Sequence, residues 1–361
     1  MKKKIIFICP YPHNFQAGQR LKYELHYDLL RRNNYDIHIE SFFDVDTYKI
    51  LHKKGYFLKK IFSTIKGYIK RFKIIFSLKN YEIVYIFMWV TPFFGNFYER
   101  VYRNFSKKII YDIEDNILLN TVSSVNPLSY LFKSNKKTTY LLRRSNYVIS
   151  SAPGLNNYIK KYYNNNSTFI PPSFDLSKFK PKETKYQKKI IIGWTGTISS
   201  REYLEFLKPT LIKLYREIDF KLLLITNFNY LFPDVDLEVI QWKRETEIED
   251  LKKIDIGLYP LPNDENWAMG KSGLKALQYM AIGIPVISSN IGNSKNIIKH
   301  YENGFLADNP DEWFEILSLL LKDVNLRKKI GNNAYNTIKN FYSLDTIGSK
   351  YLDIFKNVLD K

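Results

Sequence analysis

The sequence predicts two doubly wound α/β units in tandem, facing each other across a cleft. Three observations predict it. Short apolar runs alternate with helical patterns in both halves; a polar stretch closed by Pro171 and Pro172 interrupts the rhythm; and a new series, strand first, begins near residue 189. Strands separated by helices of roughly 10–20 residues argue for parallel sheets covered on both faces. The length of 361 residues and mass of 42.9 kDa also exceed one average domain.

In order along the chain, 4–9 reads as a central strand followed by the loop Pro10-Tyr11-Pro12-His13. Leu21, Leu25 and Leu29 recur at helical spacing over 17–31. Runs at 37–43, 83–88, 108–111 and 147–151 supply further strands. Asn164 to Pro172 reads as a turn or linker. The second series has strands at 189–193, 221–226, 237–240, 254–259 and 284–288. Its helices fall near 201–216, 245–253, 272–282, 311–321 and 324–340. The expected division is 1–180, 181–340 and a helical stretch, 341–361, that pads the second domain or crosses back to the first.

Composition excludes other classes. Apolar residues make up 45% and aromatics 16%, which rules out a disordered chain, a collagen-like repeat and a coiled coil. Cys9 stands alone and can build neither an internal disulfide nor a thiolate metal site. Lys2, Lys3 and Lys4 resemble a signal-peptide start, but the apolar run that follows ends at Pro10, so a buried strand is expected. No stretch approaches the roughly 20 apolar residues of a membrane span. The expected location is cytoplasmic, in solution or on a membrane surface.

Charge divides the chain. Residues 1–180 hold 30 Lys+Arg against 12 Asp+Glu, whereas 181–361 hold 25 against 24. Such a step implies that the first half faces something anionic. Its densest stretch is 53–79, with eight Lys, one Arg and no acid among phenylalanines and isoleucines at helical spacing. That pattern fits a basic amphipathic helix on an anionic membrane, with Lys59, Lys60, Lys66, Lys70, Arg71 and Lys73 facing it. A core-packed helix with a solvated basic face has the same ingredients. Nucleic acid is the rival anion, but no recognisable binding motif accompanies the charge, and none is expected as a partner.

Open α/β sheets bind ligands at the carboxyl ends of their strands, on loops and helix starts. After 254–259, Gly270-Lys271-Ser272-Gly273 opens a helix that carries Lys275 and Gln278. Its glycines allow close approach, its first turn offers unpaired N–H groups, and its two lysines share a face. A diphosphate suits that chemistry; an ordinary helix start with solvated lysines also fits the residues. Gly193-Trp194-Thr195-Gly196-Thr197 follows the first strand of the second half and allows a close turn over a ligand. It lacks the spacing of a dinucleotide fingerprint or a P-loop. Asp112, Glu114 and Asp115 end a strand of the first half, where a carboxylate can orient a hydroxyl or accept its proton. A solvated turn would look the same. His13 is a possible base. No HExxH or cysteine spacing indicates a metal site, and none is expected.

Taken together, these segments resemble the bacterial glycosyltransferases of family 4, which have the GT-B fold. The resemblance runs through Ile8-Cys9-Pro10-Tyr11-Pro12, Phe169-Ile170-Pro171-Pro172-Ser173-Phe174-Asp175, and Gly193-Trp194-Thr195-Gly196 of a GWxG branch. It continues through Gly270-Lys271-Ser272-Gly273, Gly283-Ile284-Pro285-Val286 and Asn303-Gly304-Phe305-Leu306. It implies retaining transfer of a sugar from a nucleotide-diphosphate sugar, without an essential cofactor or metal. The acceptor would be a saccharide or lipid-linked molecule in bacterial surface polysaccharide or glycolipid synthesis. A sugar-nucleotide epimerase or an inactive binding relative are the alternatives.

The implied donor site comprises Gly193, Trp194, Thr195, Gly196, Thr197, Asn266, Gly270, Lys271, Ser272, Gly273, Lys275 and Gln278, with Trp242 near the base. His13, Gly18 and Gln19 would meet the acceptor, and Asp112, Glu114, Asp115 and Lys271 would assist the reaction. One departure stands out. The two signature glutamates of the family correspond to Gly270 and Gln278 here, leaving Asp264, Glu265 and Asn266 as nearby substitutes for the first.

Overall fold

The computed structural model describes residues 2–51, 53, 55–93, 95–114, 135–183 and 189–360. It divides into two compact units, Met1–Ser173 with Leu344–Lys361, and Phe174–Ser343.

In the first unit, strands β1 (Lys3–Cys9), β2 (Tyr35–Ser41), β3 (Ile83–Phe87), β4 (Ile109–Ile113), β5 (Tyr147–Ser150) and β6 (Ser167–Phe169) form one sheet. Its order is β2-β1-β3-β4-β5-β6, and every pairing is parallel. The apolar run of β1 serves both faces. Ile5, Phe7 and Cys9 enter one core, and Ile6 and Ile8 enter the other, which is why the strand is continuously hydrophobic rather than alternating. The helices here are α1 (Ala17–Arg20), α2 (Tyr27–Arg32), α3 (Val45–Leu51), α4 (Phe57–Ile75), α5 (Phe97–Phe105), α6 (Asn135–Arg144) and α7 (Pro153–Tyr162).

The second unit repeats the plan with β7 (Ile190–Gly196), β8 (Phe220–Thr226), β9 (Leu237–Gln241), β10 (Ile256–Tyr259), β11 (Val286–Ser289) and β12 (Phe305–Ala307). These lie in the order β12-β11-β10-β7-β8-β9, again all parallel. Its helices are α8 (Arg201–Glu217), α9 (Glu247–Leu251), α10 (Glu265–Ala268), α11 (Leu274–Ala281), α12 (Ser294–Ile297), α13 (Pro310–Lys322) and α14 (Val324–Phe341). The strand order reverses between β7 and β10, so their outgoing loops part there and leave a crevice at the carboxyl ends. The last helix, α15 (Leu344–Asp360), belongs to the first unit, where Ile347, Tyr351, Phe355 and Val358 join the core containing Phe7 and Tyr85.

Several elements differ from the sequence pattern. The stretch 17–31 is two short helices with a 3₁₀ turn at Glu24–His26 between them, not one helix. Gln19 is buried there, hydrogen-bonding back to Tyr11, and the Leu21 carbonyl accepts from Ser173 N at 2.6 Å, which diverts the backbone from a helical ladder. β6 and β12 lie in segments that read as turns; each has three residues, too few to show a period. The units divide at Ser173/Phe174, a few residues before the position expected from composition. Phe174 and Phe179 are buried and pack edge to face in the second unit, so the chain joins that unit before the first strand begins.

His26 gives the first unit a testable acid response. Its Nε2 shares a hydrogen bond with Ser173 Oγ at 3.0 Å, and its ring packs on Tyr351 at 4.9 Å. Burial holds its pKa down at about 4, against about 6.5 in an unfolded chain. Between those values the unfolded state binds the proton and the native state does not, so stability falls as pH falls through that window. His26→Gln is expected to flatten the stability–pH curve from about pH 6.5 to 4, followed by urea denaturation. An unchanged slope would exclude His26 as the acid-labile group.

Candidate functional site

The crevice between β7 and β10 gathers most of the residues that sequence reasoning assigned to the second unit. β7 ends at Gly196, where a Cβ would overlap the Trp194 ring and crowd Ser200 Oγ. The loop turns into α8 through a capping box: Thr197 N donates to Ser200 Oγ at 3.2 Å, and the Thr197 side chain caps in return. Opposite it, Gly273 holds a left-handed backbone (φ +78°) at the start of α11, a conformation that side-chain-bearing residues rarely adopt. The Ser272 carbonyl is fixed by Asn293 Nδ2 at 3.0 Å. Two bonds tie the helix to the loop. Lys275 Nζ donates to Ser200 Oγ at 3.2 Å while lying 5.1 Å over the Trp194 ring, and Thr195 N donates to Tyr279 Oη at 2.9 Å. Gly257 leaves room for the Tyr279 ring beneath, since a Cβ there would strike it. The result is a helix N-terminus, its partial positive charge and a lysine beside a glycine turn, an arrangement suited to an anion.

Other assigned residues lie around this centre in different states. Lys271 Nζ rests 4.2 Å over the Trp267 ring, which itself packs on Tyr203. Gly270 and Ser272 are buried, and Asn266 is exposed on α10. Of the proposed glutamate substitutes, Asp264 caps α10 by accepting from Trp267 N at 3.1 Å, and Glu265 forms an exposed pair with Lys295 at 2.7 Å. Trp194 requires correction as a ligand contact: its ring is 1% exposed and part of the core, so it supports the loop from below. Gly193 likewise gives its space to Ile254.

Gln278 is buried, and its partner was not visible in the sequence. Gln278 Nε2 donates to Glu247 Oε1 at 3.3 Å, and Trp242 Nε1 donates to the same oxygen at 3.4 Å. Glu247 comes from α9 and is only 5% exposed. A buried carboxylate therefore stands next to the Gln278 amide. Nothing in the sequence spacing points to Glu247, because the pairing depends on how α9 packs beside α11.

In the first unit the carboxylates separate in role. Asp112 is fully buried, ion-paired with Lys22 and hydrogen-bonded by the Tyr85 hydroxyl. Burial pushes its carboxyl above the usual range, with Lys22 and then Tyr85 pulling it back. It is therefore a core group and not a base at a strand mouth, which corrects that expectation. Glu114 is half-buried just beyond β4, and its carboxylate occupies the space over Gly18 that a Cβ would fill. Asp115 lies outside the described residues.

The remaining assignments in this unit also sort by burial. Gln19 is 0% exposed and bridges Tyr11 N, Tyr11 O and Glu24 Oε1 at 3.1 Å each, so it sets the loop after β1 and is not open to an acceptor. His13 is exposed beside Tyr27; partial desolvation of its ring and then the Arg31 charge lower its pKa. Arg71 is corrected as well. It is fully buried and donates to the carbonyls of Val90, Glu40 and Cys9 at 2.9, 3.0 and 2.8 Å, so it fastens strand ends inside the unit. Among the described residues no group of three or more His, Cys, Asp or Glu is arranged to hold a metal ion.

The Lys22–Asp112 pair makes a stability prediction. Lys22→Met would strand a buried carboxyl beside Tyr85, and breaking such a pair typically costs about 3–5 kcal/mol. Urea unfolding followed by circular dichroism should show a loss of that order. A loss below about 1 kcal/mol, the scale of an exposed pair, would mean that the charge is not buried.

Comparison with known proteins adds a family to this geometry. Residues 234–337, which include Glu247, Lys271, Lys275 and Gln278, match the model of the glycosyl transferases group 1. An uncharacterized glycosyltransferase of Methanocaldococcus jannaschii is 34% identical over 90 residues, 24% of this chain and 23% of that protein. The matched stretch thus spans under a quarter of that curated relative. Among solved structures, sucrose-phosphate synthase from Thermosynechococcus elongatus superposes with a TM-score of 0.73 at 13% identity, covering 99% of this chain and 100% of that one. Anabaena HepE in complex with UDP-glucose gives 0.67 at 13% identity, covering 98% and 99%. The chain therefore has the GT-B fold of two Rossmann-like units, and residues 234–337 of its second unit are similar to the glycosyl transferases group 1.

Proposed function

We propose that the protein is a retaining glycosyltransferase of the family 4 type, on a branch with a GWxG loop and a glutamine in the signature. It would move a sugar from a nucleotide-diphosphate sugar to a saccharide or lipid-linked acceptor, in bacterial surface polysaccharide or glycolipid synthesis, at the inner face of the cell membrane. The observation that carries this reading is the start of α11. Its N–H groups, Lys275 and the Gly196–Ser200 turn converge at the strand-order reversal, and α11 with Lys275 lies within the stretch matched by the family.

The chemistry follows from charge. Breaking the bond between the anomeric carbon and the donor phosphate leaves a nucleoside diphosphate with growing negative charge. Fixed N–H dipoles and ammonium groups that are already in place stabilise that charge without reorganising. Lys275 is held at the turn, and Lys271 can leave the Trp267 face to join it. Gln278 would hydrogen-bond the ribose hydroxyls, with the Glu247 carboxylate supplying the negative acceptor that the glutamine itself lacks. Trp242, with its indole N–H committed to Glu247, would lie along the base. On the acceptor side Glu114, held over Gly18, is the carboxylate proposed to orient or deprotonate the attacking hydroxyl.

One observation favours a second reading. Neither signature position carries a carboxylate in this sequence, as a binding protein that has lost transfer would show. A screen of purified protein against nucleotide sugars and lipid-linked acceptors, read by mass spectrometry, separates the possibilities. Transfer gives a glycosylated acceptor and free nucleoside diphosphate. Interconversion of the sugar without acceptor product would indicate an epimerase, and an unconsumed donor pool a binding protein. Lys271→Ala is expected to lower kcat/KM for the donor by roughly 10- to 100-fold, the worth of one charge-assisted hydrogen bond, with the fold intact by circular dichroism. Unchanged turnover would remove Lys271 from the diphosphate site. Glu114→Gln should lower kcat by about a hundredfold or more while donor KM stays constant; a change in KM alone would assign Glu114 to binding.

A further inference from the structure

Helix α4 has three distinct sectors when its residues are placed at about 100° per residue. Gly67, Arg71 and Ile75 face the unit and are buried. Gly67 is pressed against the Phe42 ring, and Arg71 reaches the strand-end carbonyls. Leu58, Phe62, Ile65, Ile69 and Phe72 share a second sector of about 80°, and Phe57 opens the helix at the azimuth of Ile75. All of them face outward, with Phe57 and Phe62 at 72% and 70% exposed and Ile65 and Ile69 at 50%. Phe76, one residue past the helix, is 65% exposed and packs its ring on Phe72 at 5.5 Å. Lys59, Lys66, Lys70 and Lys73 occupy the third sector, directly beside the apolar one. Continuous apolar surface of this extent is unusual on a soluble monomer and marks an interaction face.

Charge decides what covers it. Residues 53–79 contain eight Lys, one Arg and no acid. The core of a protein interface is depleted in lysine, and a second copy of this chain would set one lysine row against another across a two-fold contact. A bilayer with anionic head groups meets both sectors at once. The aromatic and aliphatic side chains enter the acyl boundary, and the lysine stems run up to the lipid phosphates. We propose that α4 is a membrane-docking helix lying in the head-group layer of an anionic bilayer, with Phe62, Phe72 and Phe76 inserted and Lys59, Lys66 and Lys73 on the lipid phosphates. This is a surface attachment: among the described residues no helix is long and apolar enough to cross a membrane.

The inference deepens the membrane placement proposed above and rests on that reading only there. Vesicle binding is measured without donor or acceptor, so it can fail while transfer stands, and the reverse. The full chain is sedimented with vesicles of phosphatidylcholine alone or with about 30% phosphatidylglycerol. Binding is expected to the anionic vesicles and to weaken as salt rises. Phe62→Ser with Phe72→Ser, and separately Lys59→Glu with Lys73→Glu, should each reduce partitioning by about tenfold or more. All four side chains point outward, so thermal unfolding should match the parent. The proposal is overturned if the native chain binds neither vesicle, if both double variants partition like it, or if sedimentation velocity shows a dimer that the phenylalanine variant dissolves.

Discussion

Lys275 is the charge around which the crevice of the second unit is packed. Its ammonium runs from the first turn of α11, over the Trp194 ring, to Ser200 on the loop leaving β7. The loop can come that close because Gly196 leaves its side-chain space to Trp194, and the helix can begin there because Gly273 accepts a left-handed backbone. Below this contact, Tyr279 fills the gap left by Gly257 and receives the Thr195 N–H. Small residues, one large aromatic from each side and one lysine therefore hold a helix start beside a turn at the point where strand order reverses. A helix N-terminus is positive wherever it occurs; here a second cation is fixed beside it by packing.

The first unit uses its charges differently. Lys22, Asp112 and Arg71 are all buried and spend their hydrogen bonds on the ends of strands and on each other. That leaves Glu114 as the described carboxylate just past β4, resting over Gly18. The surplus positive charge of the sequence is carried outward by α4, whose lysines border its exposed apolar sector. Interior and exterior charge thus answer different needs, and the composition of the half could not tell them apart.

Much of the fold was legible because parallel sheets write themselves as short, continuously apolar runs. The strands Ile83–Phe87 and Phe220–Thr226 are wholly or almost wholly buried and stood out for that reason. Ser167–Phe169 and Phe305–Ala307 did not, being three-residue edge strands set among polar and turn residues. In the crevice of the second unit, the glycines and lysines were readable from their place after strands. The direction of a side chain was not. Alternation put Asp112 and Glu114 in one class, and only packing against Tyr85 and Lys22 separates them. Trp194 looked like a ligand contact beside two glycines, yet those glycines exist partly to accommodate neighbouring side chains, its own ring among them. Glu247 left no sequence signal because its significance arises from α9 meeting α11.

The most direct measurement is a crystal structure of the protein with a nucleoside diphosphate. The two phosphates are expected within hydrogen-bonding distance of the backbone N–H groups at Gly273 and Leu274 and of Lys275 Nζ, with Lys271 moved off the Trp267 ring toward them. A nucleotide bound elsewhere in the chain, with Lys275 still on Ser200 and the start of α11 untouched, would contradict the assignment of this helix start as the anion site.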